Sequence, residues 1–224
     1  MLLKEITLQT KDISFVYDFY HKVLELPVAS RDSTGILIAA GKTKLIFEEV
    51  TGDTDPFYHF AFNIPSNKIE EALHWLRDRV QLLWMEDYKS YIADFTGWHA
   101  LSVYFKDPAG NILEFIARSD LHDPAGEPFS SLQIRNVSEI GIVLPIEKFD
   151  EEVNYLLQKS KMDYFGKQPP MQHFRVLGDD EGLLIVVPEH RNWYPTNAPG
   201  CIFPLTVKFE NAGKEGRLDF NLAV

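Results

Sequence analysis

The feature that most limits the possible folds is a repeated order of strand, helix and strands. The unit that starts at residue 1 opens with Glu-Ile-Thr-Leu at residues 5–8, and Glu-Ile-Gly-Ile at residues 139–142 matches it in register. A unit over residues 57–118 has the same order of elements. Repeated units bury their apolar faces by packing on one another. We therefore predict an α+β fold of repeated βαβββ units, which form a curved mixed sheet with helices on its outer face.

The expected domains follow from where these units begin and end. Residues 1–118 are predicted to form one domain of two βαβββ units, residues 119–133 a linker containing Pro124, Gly126 and Pro128, and residues 134–224 a third, partial unit. Units one and two are expected to pair into one sheet that encloses a cleft. The apolar run at residues 182–187 leaves the third unit in need of cover, which favours packing on the first domain or a homodimer.

Charge and composition exclude several classes of partner. The chain has 22 basic and 33 acidic residues and a net charge of −11, which disfavours binding to a phosphate backbone. No apolar run is long enough to cross a bilayer, and the N-terminus lacks the apolar core of a signal peptide. The single cysteine, Cys201, fits a reducing compartment. We expect a cytoplasmic protein that acts on a small molecule rather than on nucleic acid or membrane.

The alternation of side chains along the predicted strands separates an apolar face from a face that carries acids and a histidine. Successive side chains of a strand point to opposite faces. On this basis Glu5, Glu48, His59 and Glu114 lie on the face away from the helices. Burying a carboxylate such as Glu114, which shares its face with Ile112 and Ile116, is costly without a partner, and a divalent cation would offset that cost. Carboxylates with one imidazole suit Mn, Fe, Ni or Zn.

Two motifs carry a resemblance to a known family. Phe-Tyr-His-Lys-Val-Leu at residues 19–24 lies on the first predicted helix, and Asp-Pro-Ala-Gly-Asn-Ile-Leu-Glu at residues 107–114 forms a predicted hairpin. Both resemble motifs of the vicinal-oxygen-chelate superfamily, which contains glyoxalases, extradiol dioxygenases and bleomycin-resistance proteins. The resemblance covers residues 1–118 well and the third unit only in outline.

The resemblance implies a metal site and a reaction class. The implied ligands are Glu5, Glu48 (with Glu49 as the alternative), His59 and Glu114, around a divalent Fe, Mn, Ni or Zn ion. A substrate would bind the ion through two neighbouring oxygens, with Glu114 or Glu5 as general base. The family commonly has His where this chain has Glu5, so the set is more similar to a glyoxalase-type lyase or isomerase than to a ring-cleaving dioxygenase.

The strand faces add further candidates and leave alternatives open. Thr7, Asn63, Ser102 and Tyr104 are predicted to line the substrate pocket. An alternative function is metal-free binding of a small cationic molecule, as in bleomycin-resistance proteins, and a third is an inactive relative. We interpret Glu139 as an echo of the repeat rather than as a ligand. The residues Arg-Asn-Trp-Tyr at 191–194 could form a lid or a substrate clamp, although a packed loop is the simpler interpretation.

Overall fold

The computed structural model describes residues 1–220, which form two mixed sheets of six and seven strands. The strands are β1 (Leu2–Thr10), β2 (Val28–Arg31), β3 (Gly35–Ala40), β4 (Thr43–Glu49), β5 (His59–Ile64), β6 (Ala93–Phe95), β7 (Ala100–Lys106), β8 (Ile112–Arg118), β9 (Asn136–Leu144), β10 (Arg175–Asp179), β11 (Gly182–Pro188), β12 (Leu205–Asn211) and β13 (Lys214–Phe220). The helices are α1 (Ile13–Tyr17), which continues as a π-helical turn (Asp18–Val23), α2 (Ile69–Arg77) and α3 (Phe149–Ser160). The predicted α+β class with curved mixed sheets is confirmed.

The pairing of the units differs from the sequence-based expectation. The first sheet has the order β13-β12-β1-β4-β3-β2, and the second has the order β10-β11-β9-β5-β8-β7-β6. Unit one therefore pairs with the C-terminal hairpin, and unit two pairs with unit three. The expectation that units one and two share a sheet is wrong, because alternation fixes which face of a strand is buried but not which distant strand completes its edge.

The third unit finds its partner within the same chain. Its first strand, β9, runs antiparallel to β5, with Phe60 opposite Ile140. The apolar strand β11 lies between β9 and β10 and is buried throughout. The argument for a homodimer, which depended on an unpartnered third unit, thereby loses its premise.

The predicted alternation holds in the second sheet. Phe60 and Phe62 of β5 face the main core, where they join Leu73 and Leu76 of α2. Ala61 points to the other face and belongs to a separate small cluster with Ile116 of β8. The helix thus covers one face of this sheet, and the opposite face is left to line a cavity.

The two family-like motifs meet inside the core. Asp12 caps α1 by accepting hydrogen bonds from the backbone of Ser14 and Phe15. The π-helical turn that follows carries the fully buried Tyr20, whose hydroxyl donates to Asp107 over 2.7 Å. Asp107 also accepts hydrogen bonds from the backbone and side chain of Asn111, so that one buried carboxylate holds the turn before β8 and anchors it to unit one.

Candidate metal centre

A buried histidine and two buried glutamates converge on the face of the second sheet that the helices leave free. His59, Glu114 and Glu139 each offer a ligand atom, and these atoms all lie within 4.8 Å of one another. They come from the adjacent strands β5, β8 and β9. Ala61 lies opposite Glu114 on one side and opposite Glu139 on the other, and His59 precedes it by two residues on the same face. The small side chain of Ala61 leaves room between the two carboxylates.

His59 is oriented as metal-binding histidines usually are. Its Nδ1–H donates to the carbonyl oxygen of Ile112 over 3.0 Å, which leaves the lone pair of Nε2 facing Glu114 at 3.8 Å. Burial lowers the pKa of His59 to about 4, while the bond to Ile112 acts in the opposite direction. The imidazole is therefore neutral at physiological pH, which is the state required of a ligand.

Glu114 has the protonation behaviour of a carboxylate that lacks a counter-ion. Burial first and the negative charge of Glu139 second raise the pKa of Glu114 to about 8. The hydroxyls of Ser102 and Tyr104 and the charge of Arg118 oppose that rise. At neutral pH the carboxyl group of Glu114 therefore holds a proton that a bound cation would replace.

Glu139 is held by a buried arginine. The guanidinium of Arg118, which is 0% exposed, forms an ion pair with Glu139 and also contacts Asn63 at 3.2 Å and Asp180 at 3.4 Å. Burial raises the pKa of Glu139, and Arg118 opposes this effect. Lys167 lies 2.7 Å from Asp180 and continues the charged chain to the surface.

The donor set fits a divalent cation. Two carboxylates face one guanidinium, so the cluster of Glu114, Glu139 and Arg118 has an excess negative charge when both acids are ionised. Two carboxylates and a neutral imidazole are ligands that Fe, Mn, Ni and Zn accept. His59, Glu114 and Glu139 would hold the ion, and Arg118 would hold Glu139.

The expected four-residue ligand set is only partly brought together. Glu5 and Glu48 lie in the first sheet, whereas His59 and Glu114 lie in the second. Glu5 forms an ion pair with Lys208 at 2.6 Å, and Glu48 is exposed. The placement of Glu5 and Glu48 beside His59 is corrected, because it assumed that units one and two share a sheet.

The other residues that the sequence predicts for the site are also split between the two sheets. Glu49, the alternative to Glu48, accepts a hydrogen bond from the backbone of Ile13 at the start of α1. Thr7 belongs to β1 of the first sheet. Tyr104 lines the cavity, Ser102 is buried two residues before it on β7, and Asn63 accepts a hydrogen bond from Arg118.

Glu139 is the residue that sequence reasoning missed. Because Phe60 lies opposite Ile140, a local twofold axis at that pair relates His59 to Glu139. The register of the repeat was visible in the sequence, but without the pairing of units two and three it could not be related to the site.

The same symmetry accounts for a cluster of three candidate ligands rather than four. Glu114 lies opposite Ala61, and the position equivalent to Ala61 on β9 is Gly141, which lies opposite Ile185 of β11. An isoleucine therefore occupies the position that would hold the fourth ligand.

A cavity of about 210 Å³ opens above the cluster. Aromatic and apolar side chains form most of its wall. The lining residues are His59, Phe95, Trp98, Tyr104, Glu114, Ile116, Glu139, Gln168, Phe174, Ile185, Arg191, Trp193 and Tyr194.

The loop over residues 189–200 closes one side of the cavity. Its backbone is tied together by hydrogen bonds from Trp193 to Ala198 and from Gly200 to Arg191. The indole of Trp193 lies 5.2 Å from the imidazole of His59, measured between ring centroids. Sequence reasoning favoured a packed loop here over a substrate clamp, and the loop is packed while its side chains also line the cavity.

Comparisons with known proteins agree on the fold. No family model and no curated protein matches the sequence. A putative dioxygenase from Bacillus subtilis is similar in structure over 98% of this chain and 66% of its own, with a TM-score of 0.57 and 16% identity. The chain therefore shares the fold of this structure, in agreement with the fold that the two motifs imply. At this identity the likeness concerns the fold alone.

Two further solved structures match about half of the chain. Lactoylglutathione lyase from Agrobacterium tumefaciens matches 51% of this chain and 91% of its own, with 18% identity and a TM-score of 0.42. A glyoxalase/bleomycin resistance protein/dioxygenase from Nocardioides matches 57% and 89%, with 20% identity and a TM-score of 0.44. Among the described residues, no helix has the length and apolar character needed to cross a membrane.

Proposed function

We propose that this chain is a metal-dependent enzyme that acts on a small substrate through two neighbouring oxygens. The observation that carries the proposal is the buried cluster of His59, Glu114 and Glu139 beneath a cavity of about 210 Å³. A divalent ion bound there supplies Lewis-acid chemistry, which stabilises negative charge on a substrate oxygen. Both a glyoxalase-like lyase or isomerase and a ring-cleaving dioxygenase fall within this class.

The residues of the chain have distinct tasks in such a reaction. The bond to Ile112 orients His59, so that its neutral Nε2 faces the candidate metal site. Glu114 is the general base, because a carboxylate oxygen that the ion does not hold is free to accept a proton from the substrate. Burial holds the pKa of Tyr104 well above its ordinary value, so its hydroxyl stays neutral and can donate a hydrogen bond to a substrate oxygen.

A second candidate is metal-free binding of a small cation. The rings of Trp98, Trp193 and Tyr194 on the cavity wall favour it, since aromatic faces attract cations. In that case Glu114 would be the counter-charge. Arg191 in the same wall counts against a cationic ligand.

Elemental analysis tests the choice directly. Protein purified without chelator is analysed beside His59→Ala, Glu139→Ala and Glu5→Ala, with circular dichroism to confirm that each variant folds. We expect about one equivalent of Fe, Mn, Ni or Zn in the wild type and in Glu5→Ala, and its loss in the other two. No ion in the wild type, even after incubation with each metal, would overturn the enzyme proposal and favour the cation binder.

The homodimer and the cytoplasmic location stay predictions. Sedimentation velocity at micromolar concentration tests the first, and a strict monomer would contradict it.

A further inference from the structure

Arg191 differs from the other buried or half-buried arginines of the described chain because no carboxylate neutralises it. Among residues 1–220, five arginines lie within 4.0 Å of a carboxylate: Arg79, Arg118, Arg135, Arg175 and Arg217. Arg191 has no such partner in that part of the chain, and its recorded polar contact is a 3.4 Å hydrogen bond to the carbonyl of Asn192. Arg31 and Arg77 also lack a carboxylate, but both are exposed.

The surroundings of Arg191 shield it partly from water without supplying an anion. Its guanidinium packs over the ring of Phe174 at 4.8 Å, and both residues line the cavity above the His59 cluster. Burial lowers the pKa of Arg191. A guanidinium in such a place is stabilised by a carboxylate, which it can bind through two parallel hydrogen bonds.

The loop holds the arginine in place before any ligand arrives. The backbone of Arg191 accepts a hydrogen bond from Gly200 over 2.8 Å, and Trp193 bonds to Ala198 over 2.9 Å. A guanidinium presented on a fixed backbone loses less entropy on binding than one on a mobile loop.

The two glutamates that line the same cavity do not form an ion pair with Arg191. Glu139 is paired with Arg118, neither Glu139 nor Glu114 lies within 4.0 Å of the Arg191 guanidinium, and in the proposed function Glu114 faces the ion. With a divalent ion in place, the cavity has positive charge at its base and a second positive charge at Arg191.

The size and walls of the cavity limit the rest of the ligand. A cavity of about 210 Å³ is near the size that encloses one aromatic ring, since an engineered apolar cavity of roughly 150 Å³ binds benzene. The rings of Trp98, Trp193 and Phe174 offer flat faces for stacking.

We infer that the substrate is a planar, single-ring molecule that carries a carboxylate in addition to its two chelating oxygens, and that Arg191 binds this carboxylate. The inference rests on the proposed function for the chelating oxygens. It assigns to Arg191 the role of a specificity residue.

The test compares two ligands that share a dihydroxyphenyl ring and differ in one substituent, which is a carboxylate in the first and a neutral hydroxymethyl group in the second. Binding of 3,4-dihydroxybenzoate and of 3,4-dihydroxybenzyl alcohol to Zn²⁺-loaded protein is measured without oxygen, by quenching of tryptophan fluorescence and by calorimetry. We expect the benzoate to bind roughly 10- to 100-fold more tightly than the alcohol, as a charge-assisted hydrogen bond provides. Arg191→Gln should abolish this preference, while Arg217→Gln, which changes an arginine of the first sheet, should retain it.

Equal binding of the two ligands by the wild type, or an unchanged preference in Arg191→Gln, would overturn the inference, and so would failure of both to bind. The same titrations with metal-depleted protein separate the two proposals. If affinity for both diols is independent of Zn²⁺, the chelation proposal fails, while the ratio between the ligands still reports on Arg191.

Discussion

Gly141 allows the aromatic wall to reach the candidate ligand His59. A Cβ atom at this position would lie 2.6 Å from Cη2 of Trp193 and 3.2 Å from the carbonyl oxygen of His59. The first contact is closer than real Cβ atoms come and the second is tight, so glycine is what lets the indole lie directly on β9. The choice of residue on a strand thus decides the shape of the cavity on the loop side.

Gly141→Ala should displace Trp193. We expect a red-shifted tryptophan emission, weaker binding of any cavity ligand and a loss of about 1–3 kcal/mol in the free energy of unfolding, because the added methyl overpacks the site. Gly126→Ala is the matched control, since a Cβ there meets nothing within 4 Å. An unchanged emission spectrum would contradict the described position of Trp193.

Binding of a metal ion should release a proton from Glu114. Since burial raises the pKa of this carboxyl to about 8, it is protonated at neutral pH and must ionise to bind a cation. Metal affinity should therefore increase as the pH rises towards that value and level off above it. Calorimetry in buffers of different ionisation enthalpy should detect about one proton released per ion at about pH 6.5, and close to none at about pH 9. Equal heats in all buffers at the lower pH would contradict it.

At the scale of elements, the turn before β8 is fixed from a distant helix. Tyr20 on the π-helical turn donates to Asp107, and the pKa of Asp107 is raised by burial although Asn111 and Tyr20 oppose this effect. The strand that follows carries Glu114. The position of a candidate ligand therefore depends on a contact between unit one and unit two.

Removal of the Tyr20 hydroxyl tests its contact with Asp107. Tyr20→Phe leaves the ring in place but deletes a bond to a buried carboxyl, so we expect a loss of about 1–3 kcal/mol in the free energy of unfolding, measured with urea. Tyr155→Phe on α3, where the side chain is 51% exposed, should change it by less than about 0.5 kcal/mol. Equal stability of the two variants would show that the Tyr20 bond contributes little.

At the scale of the whole molecule, the first sheet is closed by strands from opposite ends of the chain. β12 pairs with β1, with Val207 opposite Ile6, and both side chains are buried in the main core. Lys208, the next residue on β12, points to the other face and reaches Glu5.

Val207→Asp should disrupt this closure. A carboxylate in the core without a partner costs several kcal/mol, so we expect a large loss of soluble protein or of at least about 3 kcal/mol in stability. Lys208→Gln changes a neighbouring charge on the exposed side and should leave yield and melting temperature close to those of the wild type. A stable Val207→Asp protein would contradict the pairing of β12 with β1.

The sequence determined the local features better than the long-range ones. Alternation predicts the buried face of β5, and the motifs single out Glu114 and predict the fold, because these signals depend on neighbouring residues. Which strand pairs with β5 depends on contacts between segments that are far apart in the sequence. No single residue of β9 predicts that pairing. Glu5 and Glu48 were grouped with His59, and Glu139 was left out, for that single reason.

The strands of the second sheet all lie, in sequence, between strands of the first sheet, and this order affects folding during synthesis. All strands of the second sheet lie between residues 59 and 188, whereas the first sheet must wait for residues 205–220. On the ribosome, the sheet with the candidate metal centre can therefore be complete while β1 still lacks its neighbour. Closing a loop of this length is slow compared with local pairing, so the exposed edge of β1 is the point at which a nascent chain is most open to association with another.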